Sequence, residues 1–140
     1  MHGARAVQKS VLKDFPDADI SVSIVWIQMP GFNDNEKTAR KIAGTIEDKR
    51  VKHFYDSFPT HLAGKAFAKG LINQGPAWDI YFFYRKGQEW TDGPPQPAEW
   101  MHQLGGGGRA DESKFHAGTD LVEQLHETMH KVTAAECKLE

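Results

Sequence analysis

Gly75-Pro76-Ala77-Trp78-Asp79-Ile80-Tyr81-Phe82-Phe83-Tyr84 carries the strongest strand signal in the chain. Gly-Pro punctuates the backbone, and the run behind it is aromatic and β-branched with apolar side chains on both faces. That pattern belongs to a strand covered on both sides, so Trp78 to Tyr84 is expected at the centre of a sheet. Arg85-Lys86-Gly87-Gln88 has turn chemistry, and Glu89-Trp90 is placed to begin an antiparallel return strand. Pro94, Pro95 and Pro97, then Trp100-Met101-His102 and the glycines from Gly105 to Gly108, predict a long loop between Thr91 and Arg109 with one short strand in it. The glycine run is a flexible linker and not a phosphate loop, because no Lys-Ser/Thr follows it.

Upstream, Val7, Val11, Leu12 and Phe15 recur at helical spacing until Pro16-Asp17 stops the helix. Ile20 to Met29 alternates and then becomes continuously apolar, as a strand does when one end is buried on both faces, and Pro30-Gly31 ends it. Asn33 and Glu36 have capping-box spacing ahead of the stripe Ala39, Ile42, Ala43 and Ile46. Val51 to Asp56 is a strand candidate. Lys49, Arg50 and Lys52 read as its solvated edge. Thr60 is placed to cap a helix carrying Leu62, Ala66, Phe67 and Leu71, and Thr119 or Asp120 to cap a last helix with the stripe Val122, Leu125, Met129 and Val132, Leu121 beside it. Helices and strands alternate, so the expected class is α/β in one domain spanning residues 1–140.

A 140-residue chain with 39% hydrophobic residues builds one compact core. Its formal charge of -2 leaves no surplus of cations for nucleic-acid binding, and no apolar stretch approaches membrane-spanning length. The expectation is a cytoplasmic protein with neither a nucleic-acid nor a membrane partner. Cys137 has no second cysteine to pair with.

The order helix, strand, helix, strand, helix, strand, return strand, helix resembles the thioredoxin-like superfamily. It is closest to the thiol-disulfide oxidoreductases and peroxiredoxins that insert a helix and an edge strand. The resemblance covers about Ala4 to Val132. It implies a three-layer domain with a mixed sheet flanked by helices, truncated at its N-terminus so that the first core strand is missing. Gly75, Pro76, Ala77 and Trp78 are similar to the family's cis-proline segment, which flanks bound substrate, and are the candidate binding residues. Whether the Pro76 bond is cis is left open. The family's Cys-x-x-Cys would fall at Met1, His2 and Gly3, which cannot form a mixed disulfide. The resemblance therefore implies a non-redox binding or interaction protein with a protein or peptide ligand, no catalytic residues and no cofactor. An oxidoreductase whose cysteines lie upstream of this chain is the alternative. The lost strand would lie between the strands at Ile20 to Met29 and Asp79 to Tyr84. Its loss leaves two open edges that make a homodimer, unless the two strands close on each other or an upstream strand fills the place.

His126-Glu127-Thr128-Met129-His130 matches the H-E-x-x-H of zinc peptidases. The apolar stripe of the same helix puts His126 on its flank and turns Glu127 toward solvent, so a solvated helix face is the reading preferred to a zinc hydrolase. No metal site is assigned. His53, His61, His102 and His116 are scattered, and ordinary hydrogen-bonded histidines are expected there. Trp90 and Trp100, flanking the proline-rich loop, serve either as a docking surface or as packing over the end of the sheet.

Overall fold

The computed structural model describes residues 2–32, 35–105 and 107–136. Mixed α/β structure is present, with four α-helices and two small sheets among the described residues. Helix α1, His2–Val7, continues into a π-helical stretch, Gln8–Lys13. Strand β1, Val22–Ile27, lies parallel to β2, Val51–Asp56, and helix α2, Glu36–Ala43, connects them. Helix α3, Leu62–Ala68, leads to strand β3, Ile80–Phe83, which pairs antiparallel with β4, Glu99–His102. Helix α4, Gly118–Glu136, follows a short 3-10 turn at Glu112–Lys114.

The two ribbons share their covering layers. Ala6, Val11, Leu121, Leu125 and Met129 from α1, the π-helical stretch and α4 form the core, with Met101 of β4 among them. Val22 of β1 and Tyr81 and Phe83 of β3 pack against this core from the sheet side. On the opposite side, Phe67 of α3 stacks on Phe82 of β3 with ring centroids 5.5 Å apart, and a side chain at Gly64 of α3 would touch Ile27 of β1. Alternation along each strand explains this division, since Tyr81 and Phe83 point one way and Phe82 the other. Yet no ladder joins β1 to β3: the sheets are two-stranded, β1 with β2 and β3 with β4.

Several expectations are corrected. The aromatic strand is not central. It is paired on one side only, it is four residues long because Asp79 turns to φ +51, and none of its residues is fully buried. The return strand is Glu99–His102 and not Glu89-Trp90, because Met101 and His102 are the residues that find burial, at 4% and 2% exposure, while Trp90 stays 53% exposed. Helix α3 buries Gly64 and Ala68 where the stripe through Leu62 and Ala66 was expected, leaving Leu62 76% exposed. Its first turn is entered through His61 in the left-handed region, with no side-chain cap, and Thr60 Oγ1 donates to Ser57 O. Asp120 likewise does not cap α4; its carboxylate lies 2.7 Å from His116 Nδ1. Asn33 lies outside the described residues, and the N-cap of α2 is Asn35, whose side chain accepts from the Thr38 amide at 3.0 Å.

Arg50 is a further correction. It is not a solvated edge charge: its guanidinium donates to Phe15 O at 2.7 Å and Leu12 O at 2.8 Å, carbonyls within and just beyond the π-helical stretch. Asp48 holds it there at 2.7 Å, and the same contact draws the Asp48 carboxyl down to about 2. Replacing Arg50 by methionine keeps the stem and removes those bonds, so it is expected to cost about 2 kcal/mol, read from the urea midpoint. Ser10 is the reverse case. It is fully buried and its Oγ has no partner, so Ser10→Ala is expected to raise stability by about 1 kcal/mol in the same assay.

Tyr81 ties the helical layer to the sheet. A Cβ on Gly3 of α1 would overlap the Tyr81 hydroxyl, and Gln103 Nε2 donates to that oxygen at 2.7 Å. Burial, with the nearby Asp79 charge, pushes the Tyr81 phenol up to about 12. The unfolded chain releases that proton from pH 10 upward while the folded chain keeps it. Stability is therefore intact below pH 10 and is lost between pH 10 and 12, by on the order of 2 kcal/mol. Urea melts across that range, compared with Tyr81→Phe, check it; a wild-type midpoint as flat as the variant's contradicts the assignment.

Candidate binding surface

Asp56 closes β2, and its buried carboxylate accepts the Gly64 amide at 2.7 Å, fixing the start of α3 at the carboxyl end of the parallel pair. Gly64 O accepts the Ala77 amide at 2.7 Å. A Cβ on Gly64 would lie 2.7 Å from Pro76 Cβ and 3.0 Å from Ile27 Cδ1, so only glycine lets the turn sit this close. Of the four predicted binding residues, Pro76 and Ala77 are thus seated on α3, with Gly75 and Trp78 flanking them. Gly75 is exposed at φ +81, Pro76 and Trp78 are half-buried, and Ala77 is buried. The Gly75–Pro76 bond is trans; the cis peptide among the described residues is Phe58–Pro59.

Residues that sequence reading did not single out complete this end. Gln28, one residue beyond β1, accepts at Oε1 from the Tyr55 hydroxyl at 3.1 Å and the Phe58 amide at 3.2 Å. Its carbonyl accepts from His61 Nε2 at 2.6 Å, which fixes the proton of that imidazole on Nε2. These bonds anchor the Ser57 to His61 turn, where Phe58 is 50% exposed, and the next residue, Leu62 at the start of α3, is 76% exposed. Phe32, in the loop after β1, is also exposed. The Phe58-Pro59-Thr60 punctuation between strand and helix was the available signal. The surface offers apolar contact beside backbone edges.

The H-E-x-x-H residues stand elsewhere. The His126 and His130 rings meet at 4.7 Å, each against Phe15, and His126 Nε2 lies 3.9 Å from Asp14 Oδ2. Glu127 is exposed, and among the described residues no group of three His, Cys, Asp or Glu side chains could hold a metal ion. Cys137 lies outside the described residues. The scattered histidines all have partners: His53 Nδ1 accepts from Trp26 Nε1, and His102 and His116 are bonded as well. Trp100 lies in β4, stacked on His102, while Trp90 packs against Tyr84 and Phe67.

Two shallow grooves lie away from the turn. One, of about 350 Å³, is lined by Trp26, Arg40, His53 and Tyr55; the other, of about 270 Å³, by His102, Arg109 and Phe115. No described helix is long and apolar enough to cross a membrane. No protein-family model, no curated protein and no solved structure matches the chain.

Proposed function

We propose that this chain is a non-redox binding or interaction protein, built as a thioredoxin-like three-layer domain, and that it holds extended polypeptide at the end formed by Gly75–Trp78 and the Phe58 to Leu62 segment. Support for the layered reading comes from α1 and α4 on one side of both ribbons and α3 on the other. The observation that carries the function is the docked turn, locked by Gly64 and bordered by exposed Phe58 and Leu62 at the carboxyl end of parallel strands. Aromatic and aliphatic side chains displayed on a rigid, hydrogen-bonded support are what an interface anchor requires.

The test is binding of reduced, carboxymethylated lactalbumin, a permanently unfolded chain, followed by fluorescence anisotropy. Phe58→Ser with Leu62→Ser is expected to weaken it by about tenfold at unchanged melting temperature, the loss of one or two anchors. Failure to bind, or equal binding by the double variant, overturns the reading.

A further inference from the structure

Helix α2 lies along the face of the parallel pair on which Trp26, His53 and Tyr55 stand together. The register sets Ile24 beside His53 and Trp26 beside Tyr55, so the three rings share one side of the ribbon. Glu36, Ala39, Arg40 and Ala43 recur at helical spacing on the facing side of α2, and the groove of about 350 Å³ lies between helix and rings. A mismatch of size opens it. The two alanines are too short to fill the space, and Trp26, His53 and Tyr55 are each only half-buried. A volume of this order suits a small ligand, whose pockets start at roughly 300 Å³.

The polar groups of the groove are mainly unspent donors. Trp26 Nε1 can only donate, so His53 Nδ1, which accepts from it at 3.2 Å, carries no proton and the ring holds its proton on Nε2. That N–H has no partner among the described residues. Arg40 directs Nε and Nη2 at one oxygen, Glu36 Oε1, at 2.9 and 2.6 Å, and its Nη1 hydrogens have no partner among the described residues. Both side chains of that ion pair are more than half exposed, at 78% and 53%, so water and other anions compete for it readily.

From this we infer that the groove between α2 and the β1–β2 pair binds a flat aromatic carboxylate, with its ring against the strand aromatics and its carboxylate on Arg40 and the His53 Nε2–H. The lining selects that chemistry. Aromatic walls favour a planar ring over an aliphatic chain, and a guanidinium with donors to spare takes a carboxylate through two parallel bonds. A cationic ligand would meet donors that have nothing to accept. Glu36 is then a competitor for Arg40 and not a ligand-holding group. None of these residues belongs to the Phe58 to Leu62 surface, so this site and the polypeptide-binding reading stand or fall separately.

The experiment is an NMR titration of the intact, nitrogen-15-labelled chain with 2-naphthoate, and with 2-naphthamide as its uncharged isostere. The expected result is a saturable one-to-one shift of the Trp26 indole N–H and of the Ala39 and Ala43 amides, with the amide bound about tenfold more weakly for want of a charge-assisted pair. Arg40→Gln is expected to weaken naphthoate by about tenfold and to leave naphthamide unchanged. Glu36→Gln breaks the same ion pair, yet it removes the competing carboxylate and is expected to tighten naphthoate by about threefold. Opposite signs from the two partners of one pair are what a merely structural role would not produce. Ala43→Leu fills the groove and is expected to abolish binding of both probes. The inference is overturned by naphthamide binding as tightly as naphthoate, by a Glu36→Gln protein that binds naphthoate more weakly, or by shifts that bypass the groove and fall on Phe58 and Leu62.

Discussion

Substituting Gly64 by valine is expected to lower stability by about 3 kcal/mol and to release the Gly75–Trp78 turn. Two effects of opposite sign meet at this position. Glycine inside a helix is about 1 kcal/mol worse than alanine, so any side chain gains that much from backbone entropy. Against it, a Cβ would fall 2.7 Å from Pro76 Cβ, 3.0 Å from Ile27 Cδ1 and 3.3 Å from Asp56 Oδ2, with the site buried and the nearest of these atoms fixed in a proline ring that cannot swing aside. Overpacking of this kind costs about 1 to 3 kcal/mol. The relief available is to push the turn away, which breaks the Ala77 amide bond to Gly64 O and loosens the Gly64 amide from the Asp56 carboxylate. Alanine meets the same contacts with less bulk and is expected to cost about 1 kcal/mol net. Urea unfolding of the glycine, alanine and valine series measures the stability; Trp78 quenching and lactalbumin binding measure the turn. A valine variant as stable as the parent would mean that Pro76 is not seated on α3.

The parts of this molecule legible from the sequence are those whose signal is local and repeated. The α4 stripe Val122, Leu125, Met129 and Val132 packs on the core as expected, with Leu125 and Met129 buried and Leu121 buried beside them. The strands expected over Ile20 to Met29 and Val51 to Asp56 are rich in β-branched or aromatic residues, and they lie at Val22–Ile27 and Val51–Asp56. Gly75-Pro76 marked the turn that the structure docks on α3. What was illegible depends on distant partners. Nothing near Arg50 announces that its guanidinium reaches the carbonyls of Leu12 and Phe15. Glu89-Trp90 has the right distance from the turn to return as a strand, but Trp90 is drawn instead to the rings of Phe67 and Tyr84, and pairing with β3 passes to Glu99–His102. The α3 stripe misleads for a similar reason. Gly64 has no apolar weight in a periodicity, yet its lack of a side chain decides which face of the helix is buried.

Replacing His102 by phenylalanine is expected to cost about 3 kcal/mol even though ring shape and apolar contact are kept. At 2% exposure the imidazole lies in β4 between two rings, stacked on Trp100 at 5.8 Å and edge-on to Phe115 at 5.9 Å, positions a phenyl ring can occupy. Its nitrogens do what a phenyl cannot. Nε2 lies 2.9 Å from Asp111 O, which can only accept, so the proton is on Nε2; Nδ1 then accepts the Leu104 amide at 3.1 Å. One neutral side chain thereby ties both ends of the glycine-rich loop to the sheet. In the phenylalanine variant the Leu104 amide is left buried and unpaired, for about 2 kcal/mol, while Asp111 O, beside an exposed residue, recovers part of its bond from water and loses about 1 kcal/mol. The bonds of the 3-10 turn and the His116 amide to His102 O do not involve the ring and should survive. Equilibrium urea unfolding gives the total, and amide exchange places it: Leu104 should lose protection far beyond its neighbours in β4. A loss below about 1 kcal/mol, with Leu104 still protected, would show that packing alone holds this loop.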